Sequence, residues 1–96
     1  MSVWHAHFRV SGKVQGVVFR KYTQMKAVEL GLVGWCRNSA DGQSVEGVVQ
    51  GPQQEVEKML DWIGTQGSPK CRIEKVEIFA KKSIQNIQFS NFEILK

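Results

Sequence analysis

Over residues 4–12 apolar and polar side chains alternate, with Trp4, Ala6, Phe8 and Val10 on one side and His5, His7, Arg9 and Ser11 on the other. A period of two is that of a strand with one buried face. Residues 12–16, bounded by Gly12 and Gly16, break the pattern, and from Phe19 the period becomes helical. Phe19, Tyr22, Ala27 and Leu30 form its stripe, Gly31 closes it, and Met25 and Val28 fall off the stripe and are expected to be exposed. Residues 33–38 and 44–50 are β-rich runs around Ala40, Asp41 and Gly42, a hairpin signature. Pro52 then suits a first helical position. Val56, Met59, Leu60 and Ile63 follow at i, i+3, i+4 and i+7, the core stripe of a second helix that Gly64, Gly67 and Pro69 end. Ile73, Val76, Ile78 and Ala80 predict a strand whose alternation slips after Ile73, as at a bulge. Residues 81–86 read as a polar turn, and 87–95 as a last strand carrying Phe92 and Ile94.

The order strand, helix, strand, strand, helix, strand is the split βαβ arrangement, with an extra strand at the end. It predicts an α+β, ferredoxin-like fold: an antiparallel sheet with two helices on one face, in a single domain over residues 1–96. The first and third strands are then central, and the second runs beside the third. A chain of 96 residues holds one core, and its 42% hydrophobic and 23% charged residues suit neither a disordered nor a coiled-coil chain. No apolar run reaches membrane-spanning length, and the amino terminus does not resemble a signal peptide. Cys36 and Cys71 are too few for a disulfide scaffold and read as reduced thiols of a cytoplasmic protein. The small size and balanced surface point to a monomer.

Charge sharpens the picture because it is uneven. Residues 1–40 hold six Lys and Arg against Glu29 alone, a net +5, whereas residues 41–96 hold seven against eight acids, a net −1. Scattered solvated charge is one reading; an anion site in the first part of the chain is the other. The segment Gly12-Lys13-Val14-Gln15-Gly16-Val17-Val18-Phe19-Arg20 leads from the first strand into the first helix, where backbone N–H groups are unused by the helix and favour anions. Its glycines allow those groups to converge into a nest, and the planar fork of Arg20 suits phosphate oxygens. Arg20 and Lys21 also stand in the first helical turn, where a cation is disfavoured by about 0.3–1 kcal/mol unless an anion offsets it. The alternative is a solvated arginine in a glycine-containing turn. Asn38, at the end of the second strand, has an amide able to hold both a water and a phosphate oxygen; it is equally suited to start a turn before Ser39.

Taken together, Val10-Ser11-Gly12-Lys13-Val14-Gln15-Gly16-Val17-Val18-Phe19-Arg20 and Gly34-Trp35-Cys36-Arg37-Asn38 resemble the two signatures of the acylphosphatase family. The similarity continues through Val49-Gln50-Gly51-Pro52, Gly67-Ser68-Pro69 with Arg72-Ile73-Glu74, and Ser90-Asn91-Phe92, and favours the small stand-alone eukaryotic-type members. The resemblance implies hydrolysis of the carboxyl–phosphate bond of acyl phosphates, without a metal or other cofactor, by water attack on phosphorus. It makes Arg20 the phosphate-binding catalytic arginine, the backbone of Gln15, Gly16, Val17, Val18, Phe19 and Arg20 the phosphate cradle, and Asn38 the residue that orients the water. Small-molecule acyl phosphates, and aspartyl phosphates on proteins, are the implied substrates. The stretch from Gly42 to Val45 is longer than the family pattern by a residue, and Lys96 stands where an aromatic residue often ends the chain.

The chemistry is self-consistent with so few groups, since a carboxylate with a conjugate acid of pKa about 4 leaves without a general acid. A loose phosphoryl transition state asks mainly for positioning and charge. The loop lacks the Gly-Lys-Ser/Thr ending of a nucleotide P-loop, and Glu29 alone cannot hold Mg²⁺. His5 and His7 have no third ligand, so they read as structural, and Cys36 reads as a small apolar residue in a strand away from the anion loop. Trp35 and Trp62 read as packing residues. The third strand has no aromatic residue, which argues against an RNA-binding platform. A non-catalytic phosphate-binding regulatory module built on the same cradle is the competing class.

Overall fold

A computed structural model describes residues 3–14, 18–67 and 71–95. Its elements are β1 (Val3–Lys13), α1 (Phe19–Glu29), β2 (Val33–Asn38), β3 (Ser44–Pro52), α2 (Gln53–Thr65), β4 (Arg72–Ile84) and β5 (Phe92–Ile94). One five-stranded sheet has the order β4-β1-β3-β2-β5. β1 runs antiparallel to both β3 and β4, and β3 antiparallel to β2, so each helix crosses over between two parallel strands with a third lying between them. This is the predicted α+β ferredoxin-like topology, with one correction: the sheet is mixed, not antiparallel, because β5 pairs parallel with β2. The reason is that residues 85–91 cross one end of the sheet from the β4 edge to the β2 edge, so β5 starts where β2 starts and runs alongside it in the same direction.

Alternation decides which face each strand buries. Ala6, Phe8 and Val10 of β1 are wholly buried, and the residues opposite them on β3, Val49, Gly47 and Val45, share their face. α2 covers β1, β3 and β4 with Val56, Met59 and Ile63, all at 0% exposure, while α1 covers β2 and β5. Burying each such aliphatic side chain contributes about 1.5–3 kcal/mol. Met25 and Val28 are exposed as their position off the α1 stripe predicts. Gly31, with φ 72°, takes the left-handed position just past the helix end and donates its N–H to the Val28 carbonyl. No helix among the described residues is long and apolar enough to cross a membrane.

Pro52 closes β3 opposite Val3, so α2 starts one residue later than predicted; Gly64 lies within α2, not beyond it. The slip after Ile73 is present: Ser11 pairs with Lys75 and Gly12 with Ile73, leaving Glu74 unpaired with β1. A second irregularity lies at Phe79, between Ile78 and Ala80. Beyond it the expected polar turn is strand instead, for Lys81, Lys82 and Ser83 pair with Ala6, His5 and Trp4. An outer strand can form on backbone pairing alone, without an apolar face to announce it. The expected last strand shrinks to Phe92–Ile94, because Gln50, buried in β3, holds the preceding loop through side-chain bonds to Gln88.

Trp35 packs on the helix-free face, not in the core. Arg37 lies over its ring at 5.2 Å and bonds Glu46 at 2.9 Å, and His7 and Arg9 flank Phe79 on the same face. Each of these two rings thus has an arginine over it, while Phe79 stays half exposed.

Candidate active site

β1, β2 and β5 all run out at one end of the sheet, the end at which α1 begins. A cleft of about 300 Å³ opens there, lined by Arg20, Lys21 and Asn38 and by the apolar Val14, Val18, Phe19 and Ile94.

The entry into α1 is held by packing, not by a side-chain cap. Phe19 is 1% exposed and stacks on Trp62 of α2, ring centroids 6.2 Å apart. The Thr23 hydroxyl, buried one turn on, donates to the Phe19 carbonyl at 2.8 Å. Val18 precedes the helix with φ 50° and ψ 31°, a left-handed conformation that costs an L-residue about 1–2 kcal/mol and is rarer still for a β-branched one. Strain of this kind persists where the surrounding structure enforces it, and it gathers at functional sites. The first turn contains no acidic residue, and its N–H groups have no partner within the helix.

Arg20 is half-buried, and neither it nor Lys21 forms an ion pair among the described residues. Among the described residues no lining side chain of the cleft is a carboxylate, and none offsets its cationic charge. Asn38 ends β2, exposed and opposite Val45. Because Val45 lies on the buried face, the alternation turns Asn38 and Cys36 toward α1, and Ile94, opposite Cys36, closes that side.

Cys36 corrects the sequence reading. It is not remote from the anion loop: its thiol lies under the first turn of α1 and donates a long sulfur bond of 3.8 Å to the Arg20 carbonyl. Burial pushes its pKa up to about 12, with the positive charge of Arg20 pulling weakly the other way. A neutral thiol at neutral pH is no nucleophile. It links Arg20 to the strand that presents Asn38.

Of the residues expected at the site, Val18, Phe19, Arg20 and Asn38 meet in this cleft, whereas Gln15, Gly16 and Val17 lie outside the described residues. The Phe19 side chain belongs mostly to the core, which leaves its backbone for the cleft. Lys21, Val14 and Ile94 were not assigned to the site from sequence. Lys21 had a signal, a second cation in an unfavourable helical turn; Ile94 had none, since only the non-local pairing of β5 brings it there.

The acylphosphatase family model matches residues 6–94. Similar proteins include acylphosphatase-1 of Mus musculus, 46% identical over 93% of this chain and 89% of its own length. Acylphosphatase-2 of Homo sapiens is 42% identical over 91% of this chain and 87% of its own. Among solved structures, an acylphosphatase from Bacillus subtilis superposes with a TM-score of 0.87 at 28% identity, covering 97% of this chain and 99% of that one. One from Coxiella burnetii does so with a TM-score of 0.84 at 32% identity, covering 98% and 94%.

Proposed function

The chain belongs to the acylphosphatase family, and from that premise we propose that Arg20 and the backbone N–H groups of Gln15 to Arg20 hold the phosphate of an acyl phosphate while Asn38 orients the attacking water. The overall reaction is hydrolysis of an acyl phosphate to a carboxylate and inorganic phosphate. The observation that carries the site assignment is the meeting of a half-buried, unpaired Arg20 with Asn38 in one cleft whose described lining has no carboxylate.

The water oxygen bonds to phosphorus as the bond from phosphorus to the carboxylate oxygen breaks. The bonding pair leaves with the carboxylate, whose conjugate acid has a pKa of about 4, so no proton donor is needed. One water proton passes to a phosphate oxygen, giving dihydrogen phosphate. The positive fork of Arg20 and the end of α1 draw charge onto the equatorial oxygens, where a loose transition state spreads it. Asn38 cannot titrate, so its hold on the water does not vary with pH. The reaction is metal-free in this reading: its leaving group needs no Lewis acid, and the described cleft offers no carboxylate to hold Mg²⁺.

Small-molecule acyl phosphates are the substrates in this reading, and phosphorylated aspartates on proteins share the same mixed anhydride. The free thiols of Cys36 and Cys71 suit the reducing cytoplasm, and a cleft built from one chain suits a monomer, a state that light scattering would check.

The test is release of phosphate from benzoyl phosphate in EDTA. Arg20→Gln should lower kcat/KM by about a hundredfold or more and weaken competitive inhibition by inorganic phosphate. Asn38→Ala should lower kcat by about a hundredfold with phosphate inhibition retained. Circular dichroism keeps misfolding apart from lost chemistry. A folded parent that binds phosphate without turnover would overturn the site assignment in favour of a binding module.

A further inference from the structure

Among the described residues of the cleft, the phosphate and the water leave one polar side chain without a task. Lys21 lines it beside Arg20 and Asn38, is exposed, and has no carboxylate within ion-pairing distance among the described residues. Other lysines do find acidic partners: Lys26 meets Glu29 at 2.9 Å, and Lys81 meets Glu57 at 3.1 Å. The helix dipole disfavours a cation at this position, so its placement is not explained by the stability of α1.

Consecutive residues on a helix project about 100° apart, so Lys21 and Arg20 leave α1 in different directions. Lys21 is exposed where Arg20 is half-buried, so it belongs to the more open part of the cleft. The described lining also includes Val18 and Ile94, an apolar surface that suits the carbon skeleton of an acyl group and not a second phosphate oxygen.

Resting on the site assignment above, we infer that Lys21 is a specificity-determining residue that favours acyl phosphates whose acyl part carries a second anionic group. The acyl skeleton lies across Val18 and Ile94, and the far anion meets the ammonium, which presents a point charge with little demand on geometry. In this assignment Lys21 acts on the choice of substrate and not on the bond that breaks.

The experiment compares para-carboxybenzoyl phosphate with para-methylbenzoyl phosphate, rigid substrates of matched shape that differ in the far charge. The readout is the ratio of their kcat/KM values, taken for the parent, Lys21→Gln and Lys21→Arg, so that intrinsic reactivity cancels. Lys21→Gln should lower the ratio about fivefold, the scale of one solvent-facing ion pair. Lys21→Arg should keep it, and added salt should lower the parent's ratio toward that of Lys21→Gln. A ratio unmoved by Lys21→Gln overturns the inference, whether both substrates slow in parallel or neither does. A parent that hydrolyses neither substrate overturns the site assignment beneath it, which separates the two failures.

Discussion

Val18 holds the left-handed backbone that turns the chain into α1, yet its side chain is 61% exposed and so gains little from packing. Conformation and burial can therefore be separated here by substitution. Val18→Asn keeps the conformation with a residue that tolerates it, and should raise stability by about 1 kcal/mol, read as a higher urea midpoint at unchanged slope. Val18 also lines the cleft, so activity is expected to fall while stability rises, the usual relation between strain and function. Cys36 shows the same economy at the next strand: a small buried side chain fills the core, and its thiol reaches the first turn that carries Arg20.

At the scale of elements, the site depends on how closely β2 lies against β3. Gly34 has φ 141°, and a Cβ built there would stand 1.9 Å from the Val48 carbonyl oxygen. Gly34→Ala must push the two strands apart, which should cost about 3 kcal/mol or more and displace Asn38 four residues along the same strand. Thermal melts and benzoyl phosphate turnover check the two effects. The helices, the hairpin and the bulge after Ile73 were legible in the sequence because each has a local cause: a period, a turn residue or a slip in alternation. The second irregularity at Phe79 was not, nor the extension of β4 through Ile84, since an outer strand obeys backbone pairing more than side-chain pattern. Arg20 and Asn38 were legible through their motifs, but the cleft wall was not: Ile94 reaches it only because β5 pairs with a strand far back in the chain. Trp35 read as a packing residue, and register decides what it packs on: the face away from the helices, beneath Arg37.

For the whole molecule, pH acts through a buried amide. Gln50 donates to the Nδ1 of His5 and to Gln88 Oε1, both at 2.9 Å, and accepts the Gln88 N–H at 2.8 Å. Protonated His5 can no longer accept, and Gln50 cannot turn round without abandoning the Gln88 N–H. Burial, then Lys82 opposite on β4, then His7 hold the pKa of His5 below its ordinary 6.5. The unfolded chain therefore binds the proton first as pH falls, so the contribution of His5 is complete above pH 6.5 and is lost as pH drops toward its folded value. Urea midpoints taken from about pH 8 to about pH 5 should fall more for the parent than for His5→Gln. The two irregularities of β4 have a consequence of another kind. An outer strand of 13 residues is a template on which a foreign strand can add, and the opposite edge of the sheet is only the three residues of β5. Glu74 and Phe79 interrupt the even row of donors and acceptors along β4, and Lys75, Lys81 and Lys82 set charge along it. Irregular pairing and lysines are the devices by which an open sheet blunts such an edge, and here they lie on the same edge that gives the sequence so little pattern to read.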